Sequence, residues 1–322
     1  QRWSSTSSVE GVQQRSRTDE ISQSASNLIA AAWRPNTRAV YTTCWKRWSS
    51  WCTGKQIDPF APSVASFINF LASLHEQGLA YRTIACYRSA ISQSVQEAGG
   101  TSLGCQPLVS KLLKGIFNTS PPSARYSELW PVSKVTSYLS TLGDSSSLSL
   151  TSLSYKLAML LALATAGRAS DLSLLSTRVL SKSPEGWTLA VTGVRKTSRP
   201  GHHCSSLLIP TVCQDSRLCP VSCLKLYLAK TEHLRGDISQ LLISSRRPHR
   251  AAARDTIAQW LKRVLQAAGI DTHHFTAHST RAAATSTARE KGVSVSEILA
   301  AADWSSETTF RRFYDRPISS TA

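Results

Sequence analysis

Long apolar runs are absent from this sequence: it contains no stretch of about 18 consecutive apolar residues, the length that a transmembrane helix requires. No secretory signal peptide is recognisable either. We therefore predict no transmembrane helix and no membrane partner. The chain begins at Gln1 and not at a methionine, so we expect it to be a piece of a longer product.

Cysteine pairs of the Cys-x-x-Cys kind, typical of zinc modules and redox sites, are also absent. The chain nevertheless has eight cysteines, and the four between residues 204 and 223 could form a zinc site with His202 or His203. We favour the alternative that the thiols are reduced and structural, as is usual in an intracellular protein.

Acidic residues are scarce relative to basic ones. The chain has 37 Lys and Arg but 20 Asp and Glu, which gives a net charge of +17 and a pI of about 9.9. A solvated surface, a membrane surface or another acidic partner could account for this excess, but a polyanion such as nucleic acid is the usual reason. Both halves of the chain are basic, which suits a protein that grips a DNA duplex from two sides.

The 322 residues are enough for two domains with cores of their own. Residues 1–24 are polar and read as a disordered or loosely held tail. Residues 25–118 have helical periodicity and predict a bundle of about four helices. The segment NTSPPSAR, with two adjacent prolines among small polar residues, predicts a linker over residues 119–126. A second domain is predicted over residues 127–322.

The second domain reads as mainly helical with one interruption. The segments STRVL, WTLAVTGV and SSLLIP have the composition of short strands, and RKTSRPGHH connects the last two. The predicted fold class is therefore mainly α (α+β): a small N-terminal helical bundle and a helical domain with a small antiparallel sheet. No internal repeat is visible.

Four short segments of the second domain carry chemically distinctive side chains. TAGRASDL contains Arg168 and Asp171, and VRKTSRPG places Lys196 in the turn of a hairpin. AHSTRAAATS contains His278 and Arg281, which share a helix face because they are three residues apart. Small side chains surround that pair in the sequence, so we expect nothing bulky to shield it.

The fourth segment, AADWSSETTFRRFYDRP, contains Trp304 and Tyr314. Taken singly, each segment has an ordinary structural explanation, such as an ion pair, a solvated turn or a helix face packed into a core. Taken in order, Arg, Lys, His-x-x-Arg, Trp and Tyr resemble the catalytic set of the tyrosine recombinase (phage integrase-like) family. The resemblance covers about residues 25–316.

That resemblance implies a function and a site. The chain would cleave and rejoin double-stranded DNA through a 3′-phosphotyrosine intermediate, with residues 25–118 as the core-binding domain and 127–322 as the catalytic domain. It would act as a homo-oligomer, a dimer on one site and a tetramer in synapsis. The implied catalytic residues are Arg168, Lys196, His278, Arg281, Trp304 and Tyr314, with Asp171 in support.

The resemblance also implies a role for each of these residues, which we state as expectations. Tyr314 attacks the phosphorus, and His278 accepts or holds its proton. Arg168 and Arg281 clamp the non-bridging oxygens. Lys196 protonates the leaving 5′-oxygen, and the Trp304 indole donates to a phosphate oxygen. Asp171 orients Arg168. We expect no metal, ATP or other cofactor, because the arginines supply positive charge and the phosphotyrosine conserves the bond energy.

Two features depart from the usual pattern of the family. The spacing from Trp304 to the tyrosine is one residue longer than usual, so the usual spacing would place Phe313 at the nucleophile position; Phe has no hydroxyl, and we predict Tyr314 instead. The chain ends eight residues after Tyr314, whereas many relatives have a longer tail that docks onto a neighbouring protomer.

The resemblance is strongest to the recombinases of DIRS and Ngaro retrotransposons. It rests on the sequences of three segments: RPHRAAARDTIAQWLKRVLQAAGI, AHSTRAAATS and AADWSSETTFRRFYDRP. This similarity implies insertion of a mobile element and a nuclear location in a eukaryote, or an intracellular location on DNA otherwise. Two alternatives remain open: a type IB topoisomerase-like enzyme, which uses the same residues, and a catalytically silent DNA-binding protein derived from a recombinase.

Overall fold

The computed structural model describes residues 22–95, 102–212 and 214–319. The chain forms two compact units, Gln1–Ser123 and Ala124–Ala322, and the boundary between them falls within residues 119–126. No helix in the described ranges is both long enough and apolar enough to cross a membrane.

The first unit is helical. Its described α-helices are α1 (Gln23–Ala31), α2 (Pro35–Gly54), α3 (Val64–Glu76), α4 (Tyr81–Ser92) and α5 (Pro107–Thr119). Ser22 and Ser63 cap α1 and α3, because each side chain accepts a hydrogen bond from a backbone N–H of the first turn. Proline occupies the first position of α2 and α5, where its missing N–H has no intrahelical partner to lose.

Aromatic side chains fill the core of this unit. Trp48 is fully buried between Phe67 and Phe70, and its indole nitrogen donates to Pro59 O at 3.0 Å. Burial of two tryptophans and several phenylalanine and leucine side chains stabilises the unit, since each such side chain contributes roughly 1.5–3 kcal/mol.

The structure differs from the sequence prediction for this unit in two details. The described residues contain five helices rather than about four, because α1 precedes the long helix α2 and begins at Gln23, inside the predicted tail. The rest of that tail, residues 1–21, lies outside the described residues.

The second unit contains α6 (Val132–Thr141), α7 (Leu150–Thr165), α8 (Ala169–Leu172), α9 (Pro220–Thr231), α10 (Arg254–Ala267), α11 (Ser279–Glu290), α12 (Val295–Ala302) and α13 (Glu307–Phe313). Helix α7 is buried on most of its surface and packs against α9, α10 and α11. A helix that is apolar around most of its circumference belongs at the centre of a domain, and α7 forms the axis of this one.

Between α8 and α9 lies a three-stranded antiparallel sheet of β1 (Leu175–Lys182), β2 (Gly186–Val191) and β3 (Ser206–Pro210), in the order β1-β2-β3. Leu189 and Ile209 point into the core on α7. At Gly186 an added Cβ would lie 2.2 Å from Ile209 O, so the close approach of β2 and β3 requires glycine there. The mainly helical fold with one small sheet confirms the predicted fold class.

Candidate active site

The start of α11 holds His278 and Arg281. His278 occupies the position before the first helical residue, Ser279. The buried indole of Trp130 donates to Ser279 Oγ at 2.9 Å, and Ser279 Oγ donates to Thr276 O. The first turn of α11 is therefore fixed against the core of the second unit, and His278 and Arg281 leave it on the same side.

Arg281 is buried, with 1 % of its surface exposed, although it has no carboxylate within ion-pair distance among the described residues. Its Nη1 donates to Ala166 O and its Nη2 to Ala302 O, each at 2.5 Å. These carbonyls belong to the C-terminal ends of α7 and α12. Because helix C-termini carry partial negative charge, they stabilise the guanidinium that the fold buries.

The two helix ends have an unusual backbone. Ala166 and Asp303 have φ values of 46° and 54°, and they are two of the three non-glycine residues with positive φ in the described part of the chain. A left-handed conformation costs a non-glycine residue on the order of 1–3 kcal/mol and clusters at functional sites. Ala166 carries one of the two carbonyls that receive Arg281, and Asp303 directly follows Ala302, which carries the other.

Trp304 and Tyr314 cover the Arg281 guanidinium. The Arg281 Cζ lies 4.3 Å from the Trp304 ring centroid and 5.7 Å from that of Tyr314, and the two rings lie 4.5 Å apart. The expectation that nothing bulky shields Arg281 is therefore wrong: residues distant in sequence provide the cover. The Trp304 indole nitrogen is buried and has no hydrogen-bond acceptor among the described residues.

The Tyr314 hydroxyl lies 3.3 Å from His278 Nε2. Crowding around the imidazole removes hydration, and the positive charges of Arg168 and Arg281 disfavour a further proton; together they lower the pKa of His278 to about 4. At neutral pH the imidazole is thus uncharged. A neutral imidazole can accept a proton, and it is placed beside the phenol that would give one.

Contacts within the same chain hold Tyr314 in this position. Ser286 Oγ donates to Tyr314 O at 2.6 Å, and Arg316 N donates to Ser286 Oγ at 3.2 Å. Farther on, the backbone of residues 317–319 pairs with Leu129. Phe313, at the position of the usual family spacing, is 45 % exposed, so the helix end directs Tyr314 and not Phe313 at His278.

Arg168 lies at the N-terminus of α8, directly after the left-handed turn at Ala166. Arg168 N donates to Asp171 Oδ2 at 3.0 Å, and Asp171 N donates to Arg168 O at 2.8 Å. The guanidinium also lies 3.5 Å from the same carboxylate. Asp171 thus fixes both the backbone and the side chain of Arg168, an arrangement in keeping with the orienting role that the sequence predicts for it.

The connection between β2 and β3 carries Lys196, as the sequence predicts. We name residues 195–203 the lysine loop. Lys196 is exposed, and its charge is among those that lower the pKa of His278. The structure therefore places Trp304 and Tyr314 in contact with Arg281, and Tyr314 in contact with His278. Arg168 and Lys196 are near enough for their charges to act on His278, and Asp171 lies beside Arg168.

Sequence reasoning missed two contributors to this site. Arg125, which was assigned to the predicted linker, also contributes positive charge at His278; its neighbour Tyr126 hydrogen-bonds to Thr276 at 3.1 Å. Asp303 contacts the lysine loop through Arg195, Thr197 and His202. Neither residue has a spacing that would single it out, because each acts through contacts distant in sequence.

Within residues 22–95, 102–212 and 214–319, no group of three or more His, Cys, Asp or Glu side chains is arranged to hold a metal. Cys219 instead accepts backbone N–H groups at the start of α9, and Cys223 is buried in the core. His202 pairs with Asp303. Cys213 lies outside the described residues.

Residues 137–317 match the phage integrase family. This match spans more than half of the chain and includes every residue of the site except Arg125, so the chain belongs to the phage integrase family. A comparison with curated proteins finds no match.

Solved structures with a similar fold are tyrosine recombinases. A lambda integrase(75-356) dimer bound to a COC′ core site is 17% identical, with 90% of this chain and 92% of that chain covered and a TM-score of 0.53. A lambda integrase tetramer bound to a Holliday junction is 16% identical over 98% and 78%, with a TM-score of 0.51. The Tn1549 transposon integrase (aa 82-397) in complex with circular intermediate DNA is 13% identical over 95% of both chains, with a TM-score of 0.53. At these identities the likeness is one of fold.

Proposed function

We propose that the protein is a site-specific DNA recombinase that cleaves and rejoins DNA through a phosphotyrosine intermediate formed by Tyr314. One observation carries the proposal. The Tyr314 hydroxyl lies against a neutral His278, and the charged groups that act most strongly on that histidine are all cationic: Arg168, Arg281, Lys196 and Arg125. A nucleophile beside a proton acceptor, within a group of positive charges, suits attack on a phosphodiester.

The proposed step exchanges one phosphate ester for another. Tyr314 Oη bonds to phosphorus while its proton passes to His278 Nε2, and the bond from phosphorus to the 5′-oxygen breaks. Lys196 gives a proton to that oxygen, leaving a free 5′-hydroxyl and a 3′-phosphotyrosine. Rejoining is the reverse step with a 5′-hydroxyl from another strand.

The arginines supply positive charge to the developing transition state. Loss of hydration, together with the charge of nearby Arg168, lowers the pKa of Arg281 to about 10, which still leaves it protonated at neutral pH. Arg168 is the more open of the two, with 13% of its side chain exposed. We propose that this charge makes the step independent of metal and ATP.

A second basic surface lies on the first unit. Arg88 and Lys114 line a groove together with Tyr81 and Phe117, whose rings meet edge to face at 5.5 Å. Phe117 is 43 % exposed. An exposed aromatic ring, a partly buried one and two cations along one groove suit contact with nucleic acid. This arrangement supports double-stranded DNA as the partner and a DNA-binding role for residues 25–118.

The finer parts of the proposal follow from likeness to other proteins. The similar lambda integrase structures are a dimer on a core site and a tetramer on a Holliday junction, and we propose the same two assemblies here. The resemblance to DIRS and Ngaro recombinases, together with the fold shared with the Tn1549 transposon integrase, supports insertion of a mobile element. We propose a nuclear location if the host is a eukaryote.

Covalent trapping tests the proposal without knowledge of the target sequence. The protein is incubated with a pool of duplexes that carry randomised sequence on both sides of a nick. Cleavage near the nick releases a short fragment that diffuses away, so rejoining is blocked and the protein stays on the DNA. We expect a band of low mobility on a denaturing gel, a DNA-linked peptide containing Tyr314, and an enriched DNA sequence.

The products distinguish this proposal from the alternatives. Joined or junction DNA from two recovered duplexes supports a recombinase, whereas relaxation of supercoiled plasmid without joined products indicates a topoisomerase. DNA binding without any covalent product, under conditions in which the protein is folded, would contradict the catalytic proposal and indicate a DNA-binding protein.

A further inference from the structure

Asp303 lies where two parts of the active site meet. It follows the last residue of α12 and precedes Trp304, and its φ of 54° is one that few residues other than glycine adopt. Glycine would adopt this backbone conformation with less strain than aspartate does. The contacts of the Asp303 side chain supply a reason that an aspartate occupies this turn.

Every described polar contact of the Asp303 carboxylate is with the lysine loop. Oδ2 lies 3.5 Å from Arg195 Nη1 and accepts a hydrogen bond from the Thr197 hydroxyl. Oδ1 lies 2.9 Å from His202 Nε2. Arg195 and Thr197 are the two neighbours of Lys196, and His202 lies on the returning side of the loop.

The loop has internal contacts of its own. Ser198 N donates to Arg195 O at 3.0 Å, and Arg199 and His202 exchange two backbone hydrogen bonds of 2.9 Å each. These bonds shape the turn but do not attach it to the rest of the molecule. Attachment comes from Asp303 and from Asp171, which lies 3.6 Å from the buried Arg195 guanidinium.

We infer that Asp303 is a positioning residue for Lys196. By holding the residue on each side of the lysine, it fixes the point from which the exposed ammonium reaches the leaving oxygen. This inference rests on the proposed function, since it concerns the residue assigned as general acid. Asp171, which pairs with Arg168, also contacts the guanidinium of Arg195. Both carboxylates therefore hold the residue that directly precedes Lys196.

The test compares Asp303→Gly with Lys196→Ala in single-turnover cleavage. Glycine removes the carboxylate and accepts the positive φ without strain, so the backbone turn before Trp304 is kept. Asp215→Asn is the matched control, because Asp215 belongs to the same unit and its ion pair, 3.0 Å from Arg217, is remote from the lysine loop.

We expect Asp303→Gly to slow cleavage of an ordinary phosphodiester by about 10²-fold, the effect of misplacing a reacting group by about an ångström. A substrate with sulfur at the 5′-bridging position needs no proton on its leaving group. On that substrate Asp303→Gly and Lys196→Ala should both react at the wild-type rate. The double variant should be no slower on the ordinary substrate than Lys196→Ala alone, because both changes remove one function.

A second readout does not depend on activity. Trypsin cleaves after Arg195 and Lys196, and we expect faster cleavage there in Asp303→Gly than in the wild type or in Asp215→Asn, because proteolysis reports local opening. The inference is overturned if the loop stays protected, if sulfur fails to rescue Asp303→Gly, or if the double variant multiplies the two defects. Absence of a Tyr314 adduct in the wild type would instead contradict the proposed function, and the tryptic result would still decide whether Asp303 holds the loop.

Discussion

Replacing Tyr314 with phenylalanine separates a nucleophile from a packing residue. The change removes one oxygen and keeps the ring that lies 4.5 Å from Trp304 and over Arg281. The hydroxyl contacts His278 at 3.3 Å, a long hydrogen bond on a half-buried side chain. Its loss should cost about 0.5 kcal/mol and at most about 1.5 kcal/mol, the usual range for one neutral hydrogen bond.

This magnitude sets the expected stability change. For a domain of the size of the second unit, 1 kcal/mol shifts Tm by roughly 2–4 °C. We therefore expect Tyr314→Phe to melt within about 6 °C of the wild type in calorimetry and to bind DNA with unchanged affinity. The covalent adduct on the nicked DNA pool should disappear completely, because no other atom of the ring can attack phosphorus.

Phe313 provides the matched control. Adding Phe313→Tyr to the Tyr314→Phe variant creates the hydroxyl that the usual family spacing calls for. The Phe313 side chain is 45 % exposed, whereas it is the Tyr314 hydroxyl that contacts His278. We expect no adduct from the double variant. Adduct formation by Tyr314→Phe, or its recovery in the double variant, would refute the assignment of Tyr314.

Further predictions concern the dependence on pH, on salt and on metal, and which protomer supplies the nucleophilic tyrosine. Because the pKa of His278 is lowered from 6.5 to about 4, its imidazole resonance in DNA-free protein should titrate near pH 4. Between pH 6.5 and pH 4 the unfolded chain binds a proton at this histidine and the folded chain does not. The contribution of His278 to the free energy of unfolding is therefore complete above about pH 6.5 and declines toward pH 4. Titration near 6.5 would contradict the crowded site. Affinity for DNA should fall steeply with salt in fluorescence anisotropy, and a flat response would argue against phosphate contacts. Chelator should leave adduct formation unchanged; its loss with binding retained would require a metal. Because the segment after Tyr314 pairs with Leu129 of the same chain, a mixture of Arg168→Ala and Tyr314→Phe proteins should form no adduct, whereas adduct would mean that protomers share tyrosines.

Local sequence patterns predict much of the second unit. The strand segments predicted from STRVL, WTLAVTGV and SSLLIP fall at β1, β2 and β3, and the rest of the unit is helical as predicted. Hydrophobic periodicity, turn residues and helix caps are local signals, so they can be recognised in a single sequence. The first unit was harder, because α1 begins among the polar residues of the predicted tail and has no buried side chain.

The site was predictable as a set of residues but not as a geometry. The order of Arg168, Lys196, His278, Arg281 and Tyr314 is visible in the sequence, whereas the cover of Arg281 by aromatic rings is not. The contact of Asp303 with His202 spans 101 positions in the chain. No periodicity encodes such a contact, since it depends on how the end of α12 packs against a loop between two strands.

The two buried arginines of the site differ in the groups that surround their positive charges. Arg195 is 2 % exposed and lies between the carboxylates of Asp171 and Asp303, so its charge is neutralised within the fold and serves to fix the lysine loop. Arg281 is buried to the same degree, but its partners are the carbonyls of Ala166 and Ala302, which carry partial rather than full negative charge. The fold thus keeps Arg281 charged without cancelling it. A positive charge that is held in place and not paired with a carboxylate can stabilise an anion that arrives from outside. This distinction, rather than the number of arginines present, supports the proposal that the residues around Tyr314 act on a phosphodiester.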